Sequence, residues 1–314
     1  MHCDKVAKKC KLVLYSFTEL KYNALINQTR RGKTSHQKSE ATPPNLKGKN
    51  IMKKFIALTL AVLVLAACFA GCKKEAKPLI NVGYTIYSPM NYTDADGKLI
   101  GFDTDLAKAV FEGLGYEVKF KEIEWTAKYT DLNSGDIDCI WNGFTCNSAD
   151  DDGVARSEKV DFSYKYMENR QIVVVKKDAA VAAMADLNGK RAVAEKGSAG
   201  EEFAKTVEGA TVKTATKQTD CLMEIMSGTA DFAVVDSLLA ASYVGKGDYA
   251  DLKIVDALSG DIEYYAIGFK KGSELTAKVN EQLEKLAKDG TIAKLAETYK
   301  VSATVITDFA DQKK

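Results

Sequence analysis

Histidine is nearly missing. The 314 residues hold two, His2 and His36, and none follows. A body without imidazole excludes Ser/His or Cys/His nucleophilic catalysis and His-ligated zinc over residues 73–314. Cysteine is sparse there too: of seven, only Cys139, Cys146 and Cys221 fall in the body. An odd number without zinc-site spacing reads as small buried thiols rather than a disulfide framework. Positive charge is also short. The chain has 44 Lys+Arg and 43 Asp+Glu, of which residues 1–72 take 13 and 3; the remaining 31 and 40 give the body a net charge of −9. That balance argues against nucleic acid or an anionic membrane surface as the main partner, because phosphate binding needs clustered positive charge.

Other devices are absent as well. There is no solenoid-type repeat, no low-complexity segment and no Walker loop, since Gly197-Ser198-Ala199-Gly200 lacks the Gly-Lys-Ser/Thr ending. Asp150-Asp151-Asp152-Gly153 and Asp94-Ala95-Asp96-Gly97 lack the alternating ligands and final glutamate of a calcium loop. They read as a solvated loop and a hairpin turn. No metal or cofactor is expected.

What is present begins with a secretion signal. Lys53 and Lys54 precede an apolar run, Phe55–Ala67, shorter than the roughly 20 residues of a spanning helix. Leu65-Ala66-Ala67-Cys68 and the later Cys72, which meets Lys73-Lys74, both fit the lipoprotein cleavage pattern; Cys72 is the preferred lipid-bearing residue and Cys68 the alternative. A diacylglycerol supplies two buried chains where one holds only marginally, so the protein is expected to be tethered to the membrane. Residues 1–51, polar and basic, are expected to be an untranslated or disordered leader, with Met52 as the start. Residues 52–72 are then the signal peptide and 73–77 a linker.

Length beyond the usual domain range of roughly 100–200 residues allows two modest domains. From Leu79 onward, strand-like and helix-like patterns alternate, as in an α/β sheet. Leu79–Tyr84 predicts a strand, Tyr92–Phe102 a hairpin, and Leu106, Val110 and Leu114 a helix face capped by Asp103 and stopped at Gly115. Gln171–Val175, Arg191–Ala194 and Asp231–Val235 predict further strands. Leu222–Ser227 is helical up to Gly228, with Met223 and Met226 read as packing. Two helices close the chain, split at Gly290.

In open α/β sheets ligands bind outside the carboxyl ends of the strands. The loops there hold two aromatics, Tyr87 and Trp125, the stretch Asn142–Asp152, Glu195–Gly200 and Asp236-Ser237, without a plausible nucleophile–base pair. Ser198 with Glu201 is a capping box, and the same helix start attracts anions. Taken singly, Arg156 and Asp236 are ordinary surface charges.

Together these strings resemble a family. GKLIGFD at 97–103, LNSGDID at 132–138, NGFT at 142–145, VDFS at 160–163, LNGKRAVAEKGSAGEEF at 187–203, GTADFAVVD at 228–236 and AIGFKKG at 266–272 follow, in order, the extracellular solute-binding proteins of polar amino-acid ABC importers. The resemblance spans 78–302. It implies an α/β, two-lobed type II periplasmic-binding-protein fold with a central cleft and two hinge crossings. Residues 78–170 and 266–314 would form lobe 1, and 171–265 lobe 2.

It further implies a carboxylate-binding Arg156 with Thr145 and the Gly143 carbonyl, helix-start amides at Ser198 and Ala199, and Asp236 for the α-ammonium. Tyr87 and Trp125 would be aromatic walls, and Glu195 would stand where the ligand side chain is read, hinting at a cationic or amide-bearing guest. The stretch between Thr145 and Arg156 is longer than the family's pattern.

The expected function is therefore a monomeric, lipid-anchored extracytoplasmic receptor, not an enzyme, delivering a free polar amino acid to ABC permease subunits. The alternative is a secreted enzyme on the same fold, resembling cyclohexadienyl dehydratases, with Glu195 as general acid.

Overall fold

The structure, a computed structural model, describes residues 76–313. The signal segment, Cys68 and Cys72 lie outside the described residues.

The chain begins with β1 (Leu79–Tyr84), the hairpin β2 (Tyr92–Thr93) and β3 (Leu99–Ile100), α1 (Phe102–Gly113), β4 (Glu117–Glu122), α2 (Lys128–Ser134), β5 (Cys139–Ile140), α3 (Arg156–Lys159) and β6 (Asp161–Phe162). Next come β7 (Met167–Asn169), β8 (Gln171–Lys176), β9 (Arg191–Glu195), α4 (Ala199–Lys205), β10 (Thr211–Ala215), α5 (Gln218–Ser227), β11 (Phe232–Asp236), α6 (Ser237–Tyr243) and β12 (Leu252–Ser259). Then β13 (Glu263–Tyr265) and β14 (Gly268–Phe269) precede α7 (Leu275–Lys288) and α8 (Thr291–Thr298).

Two five-stranded sheets result, in the orders β4-β1-β5-β14-β6 and β10-β9-β11-β8-β12. In each, the neighbouring parallel strands are joined by helical crossovers, while the strands entering or leaving the lobe run antiparallel. β8 lies between β11 and β12, and Ile172–Val175 are buried, the continuous apolar run expected of a strand covered on both faces. The first sheet packs on α1, whose Leu106 and Val110 are buried with Val279 and Leu283 of α7 and Ile292 of α8.

Two crossings join the sheets. β7 and β13 pair antiparallel, Glu263 opposite Asn169 and Tyr265 opposite Met167. The chain after α8 lies along the other edge of β7: the Glu168 N–H donates to the Thr304 carbonyl and the Ile306 N–H to the Tyr166 carbonyl, both at 2.8 Å.

Two local expectations are corrected. Asp103 does not cap α1: Gly101 holds the cap position, and the Asp103 carboxylate is buried, accepting from the Tyr166 hydroxyl at 3.0 Å and the Gly143 N–H at 3.3 Å. Met223 does not pack. It is 51 % exposed, because α5 buries Cys221, Leu222 and Ile225 and turns Met223 away from that face, while Met226 does reach the core.

Candidate ligand-binding cleft

The ends of the strands of the two sheets face one another across a cavity. All nine side-chain and backbone positions expected to bind a ligand line it: Tyr87, Trp125, Gly143, Thr145, Arg156, Glu195, Ser198, Ala199 and Asp236. Arg156 comes from the side of the first sheet and Asp236 from the end of β11 in the second, so neither is an ordinary surface charge.

Arg156 opens α3 and is 1 % exposed. Its Nε donates to Asp150 Oδ1 at 3.0 Å, Nη1 to the Thr145 carbonyl at 3.2 Å and Nη2 to the Gly197 carbonyl of the facing lobe at 3.3 Å. The expected solvated aspartate loop is overturned at one residue. A short hairpin pairing Ala149 with Ala155 turns Asp150 inward, where Tyr129 donates to its Oδ2 at 2.6 Å and the Lys159 ammonium at 2.9 Å, with Lys128 3.8 Å from Oδ1. Burial alone would raise the Asp150 pKa, but these hydrogen bonds and the Arg156 and Lys128 charges outweigh it and hold the carboxyl below its ordinary value. Asp151 and Asp152 stay exposed.

Lys128 is a second buried cation. Its Nζ sits 4.8 Å from the Trp125 ring centre and 4.7 Å from that of Tyr129, within cation–π range. Burial, then the Arg156 charge, lowers its pKa to about 8. The Trp125 indole packs edge-on against Phe144, and its Nε1 donates across the cleft to the Gly197 carbonyl at 3.0 Å. Tyr87 and Tyr265 share a 2.7 Å hydroxyl contact. Gly143 has φ 53°, and a Cβ there would meet Tyr87 Cε1 at 2.5 Å, so only glycine brings this carbonyl beside the ring.

The opposite wall is acidic. Asp236 ends β11, and the antiparallel register sets Gln171 directly across from it. Asn169 Nδ2 at 2.5 Å, Gln171 Nε2 at 2.7 Å and Gln218 Nε2 all donate to its carboxylate. Burial is the main cause of its raised pKa. Glu263, on β13, accepts at one oxygen from Thr145, Asn169 and Gln171, and burial followed by the Asp236 charge pushes its pKa to about 7. The Thr145 hydroxyl thus points to Glu263.

Glu195 is 6 % exposed, and burial followed by the Asp236 charge takes its pKa to about 8. Ser198 caps α4 as the sequence predicts, its hydroxyl accepting from the Glu201 N–H at 3.1 Å. The return arm lands one residue early: Glu201 accepts from the Gly197 N–H at 2.7 Å, while the Ser198 N–H turns to the Glu195 carbonyl.

Four lining residues escaped sequence reasoning: Thr85, Asn142, Gln171 and Gln218. Thr85 and Asn142 stand in loops that the strand-end rule singles out, and they bond to each other. Gln171 starts its strand, where a rule about carboxyl ends does not look.

The fold and cleft define a two-lobed type II periplasmic binding protein. The chain belongs to the bacterial extracellular solute-binding proteins, family 3, whose profile matches residues 80–302. It is 29 % identical over 257 residues to the arginine-binding extracellular protein ArtP of Bacillus subtilis, covering 79 % of this chain and 98 % of that one. A probable histidine-binding protein of Neisseria gonorrhoeae is 32 % identical over 262 residues, covering 79 % and 96 %. Among solved structures, an ancestral arginine-binding protein bound to arginine superimposes with a TM-score of 0.65 at 35 % identity, covering 72 % of this chain and 99 % of that one.

Proposed function

We propose that the protein is the lipid-anchored, extracytoplasmic receptor of an ABC importer, holding one free polar amino acid between its lobes and handing it to permease subunits as a monomer. The observation that carries this reading is that Arg156 and Asp236, from opposite lobes, line one cavity. A zwitterion loses the hydration of both ends on entering, and each end needs an opposite charge. Arg156 offers the carboxylate the N–H of each terminal nitrogen that is not given to the Thr145 or Gly197 carbonyl, with the α4 start at Ala199 beside it, and Asp236 takes the α-ammonium. Tyr87 and Trp125 bound the space. Arginine- and histidine-binding relatives support a polar guest.

A thermal-shift screen of the twenty amino acids tests this, since a ligand that binds only the folded state raises the melting point. No shift with any of them would overturn it. The anchor at Cys72, or Cys68, rests on the signal pattern and is tested by lipid labelling of the two Cys→Ala variants.

A second reading has one observation in its favour: Glu195, holding a proton near neutral pH, is suited to a general acid. Turnover of prephenate or arogenate would establish it.

A further inference from the structure

A guanidinium can be approached through its N–H bonds, and three of those of Arg156 are spent inside the protein: Nε on Asp150 Oδ1 at 3.0 Å, one of Nη1 on the Thr145 carbonyl and one of Nη2 on the Gly197 carbonyl. One N–H remains on each terminal nitrogen. The faces of the group are covered as well, since the ring centres of Phe144 and Trp125 lie 5.3 and 5.9 Å from Cζ. Aromatic walls fix the plane of a guanidinium but not its rotation within that plane. A partner in the plane decides which nitrogens meet the cavity, and the carboxylate at Nε is such a partner.

Asp150 is held as rigidly as the group it holds. Both residues belong to one hairpin, in which Ala149 pairs with Ala155, the Asp150 N–H donates to the Val154 carbonyl at 3.1 Å and the Arg156 N–H to the Ser148 carbonyl at 3.0 Å. The second carboxylate oxygen is tied down by the Tyr129 hydroxyl at 2.6 Å and the Lys159 ammonium at 2.9 Å, so the carboxylate cannot turn to follow the guanidinium. Offsetting buried positive charge asks only for an anion nearby, which is all that Lys128 receives at 3.8 Å. Arg156 receives a directed hydrogen bond from an anchored oxygen, and that is a geometric constraint.

Resting on the main-chain reading, we propose that Asp150 is the positioning residue of the carboxylate pole: the hairpin uses it to hold Arg156 by Nε, so that the guest's carboxylate is received at Nη1 and Nη2 and never at Nε. Asp150 does not line the cavity and acts only through Arg156. Its effect on affinity therefore depends on where its oxygen sits, beyond the charge it carries.

Asp150→Glu separates the two roles, because it keeps the charge and moves the oxygen by one methylene. The chain has five arginines, so the Nε–H signal of Arg156 can be followed by NMR and assigned by its loss in Arg156→Lys. Without any guest, that proton should exchange slowly with water in the parent and at least about tenfold faster in Asp150→Glu. The glutamate variant should melt within about 5 °C of the parent. By calorimetry it should bind arginine, histidine or glutamine, whichever the parent holds, at least about tenfold more weakly. In an Arg156→Lys background the same change should cost less than about twofold, since the route through the guanidinium is gone. Tyr129→Phe leaves every charge in place and loosens Asp150, and should cost about three- to fivefold by the same route, which serves if the glutamate variant unfolds. Parent-like affinity in both Asp150→Glu and Tyr129→Phe, a loss of equal size with and without Arg156, or fast exchange of the Arg156 proton in the parent would each overturn the proposal while the main-chain reading stands. If none of the twenty amino acids binds the parent, both fall.

Discussion

The two walls of the cleft solve the same electrostatic problem in opposite ways. On the first lobe, the cations Arg156, Lys128 and Lys159 converge on one buried anion, Asp150, which a Tyr129 hydroxyl also supports. Their charge is answered inside the protein, and the guanidinium is held by a fixed partner at Nε. On the second lobe, three acids share a few amide donors, which do not offset their burial, so their pKa values are driven up instead. One wall is satisfied before anything enters; the other is completed by what enters. A binding protein needs this asymmetry, because a cleft satisfied on both sides has nothing left to recognise.

The contrast can be broken most severely at its two poles. Arg156→Ala and Asp236→Ala each strand one end of the guest, a loss of roughly 3–5 kcal/mol, or about a hundred- to several-thousand-fold in affinity. Calorimetry should show micromolar binding abolished in both; near-native affinity in either would remove its assigned role.

Asp150→Asn attacks the satisfied wall itself and should destabilise the fold by about 3–5 kcal/mol, as three cations lose their shared anion. Because the Asp150 pKa is depressed on folding, its contribution is present above the unfolded value and lost as pH falls through the folded one. Melting curves should therefore show the variant's deficit at neutral pH shrinking only in strong acid. Glu195→Gln should do the reverse. A folded-state pKa of about 8 means that the parent loses stability as pH rises from the unfolded carboxyl range towards 8, and the glutamine variant escapes that loss. A variant less stable than its parent at pH 8.5 would contradict the contrast.

Smaller effects belong to the contacts between the walls. Trp125→Phe keeps the ring against Phe144 and removes the indole donor to Gly197, about 1 kcal/mol or roughly fivefold in ligand affinity. The smallest is Glu122→Ala. Its 2.8 Å pair with Lys217 spans the lobes but is exposed, so affinity should change by no more than about 1 kcal/mol, and less at high salt.

Local periodicity and family strings made much of this molecule legible. β1, the hairpin, α1 and the buried run of β8 follow from alternation, turn residues and apolar spacing, and the nine expected site positions meet in one cavity. What escaped depends on contacts distant in sequence. Three consecutive aspartates look alike until a hairpin presents Asp150, and not Asp151, to Tyr129. Glu263 and Asn169 sit on crossing strands too short for a period, and their partnership with Asp236 arises only when β13 pairs with β7 and β8 with β11. Asp103 resembled a cap because caps are local and common; its partners, Gly143 and Tyr166, are not local.

The C-terminal residues beside β7 have a practical consequence. Since Met167 pairs with Tyr265 on one edge and Val305 on the other, the first crossing is the middle strand of a three-stranded ribbon. Gln312, whose side chain exchanges hydrogen bonds with the Lys165 backbone, therefore sits beside the ribbon that joins the two sheets. A fluorophore attached there would report guest capture from outside the cavity, without competing for it.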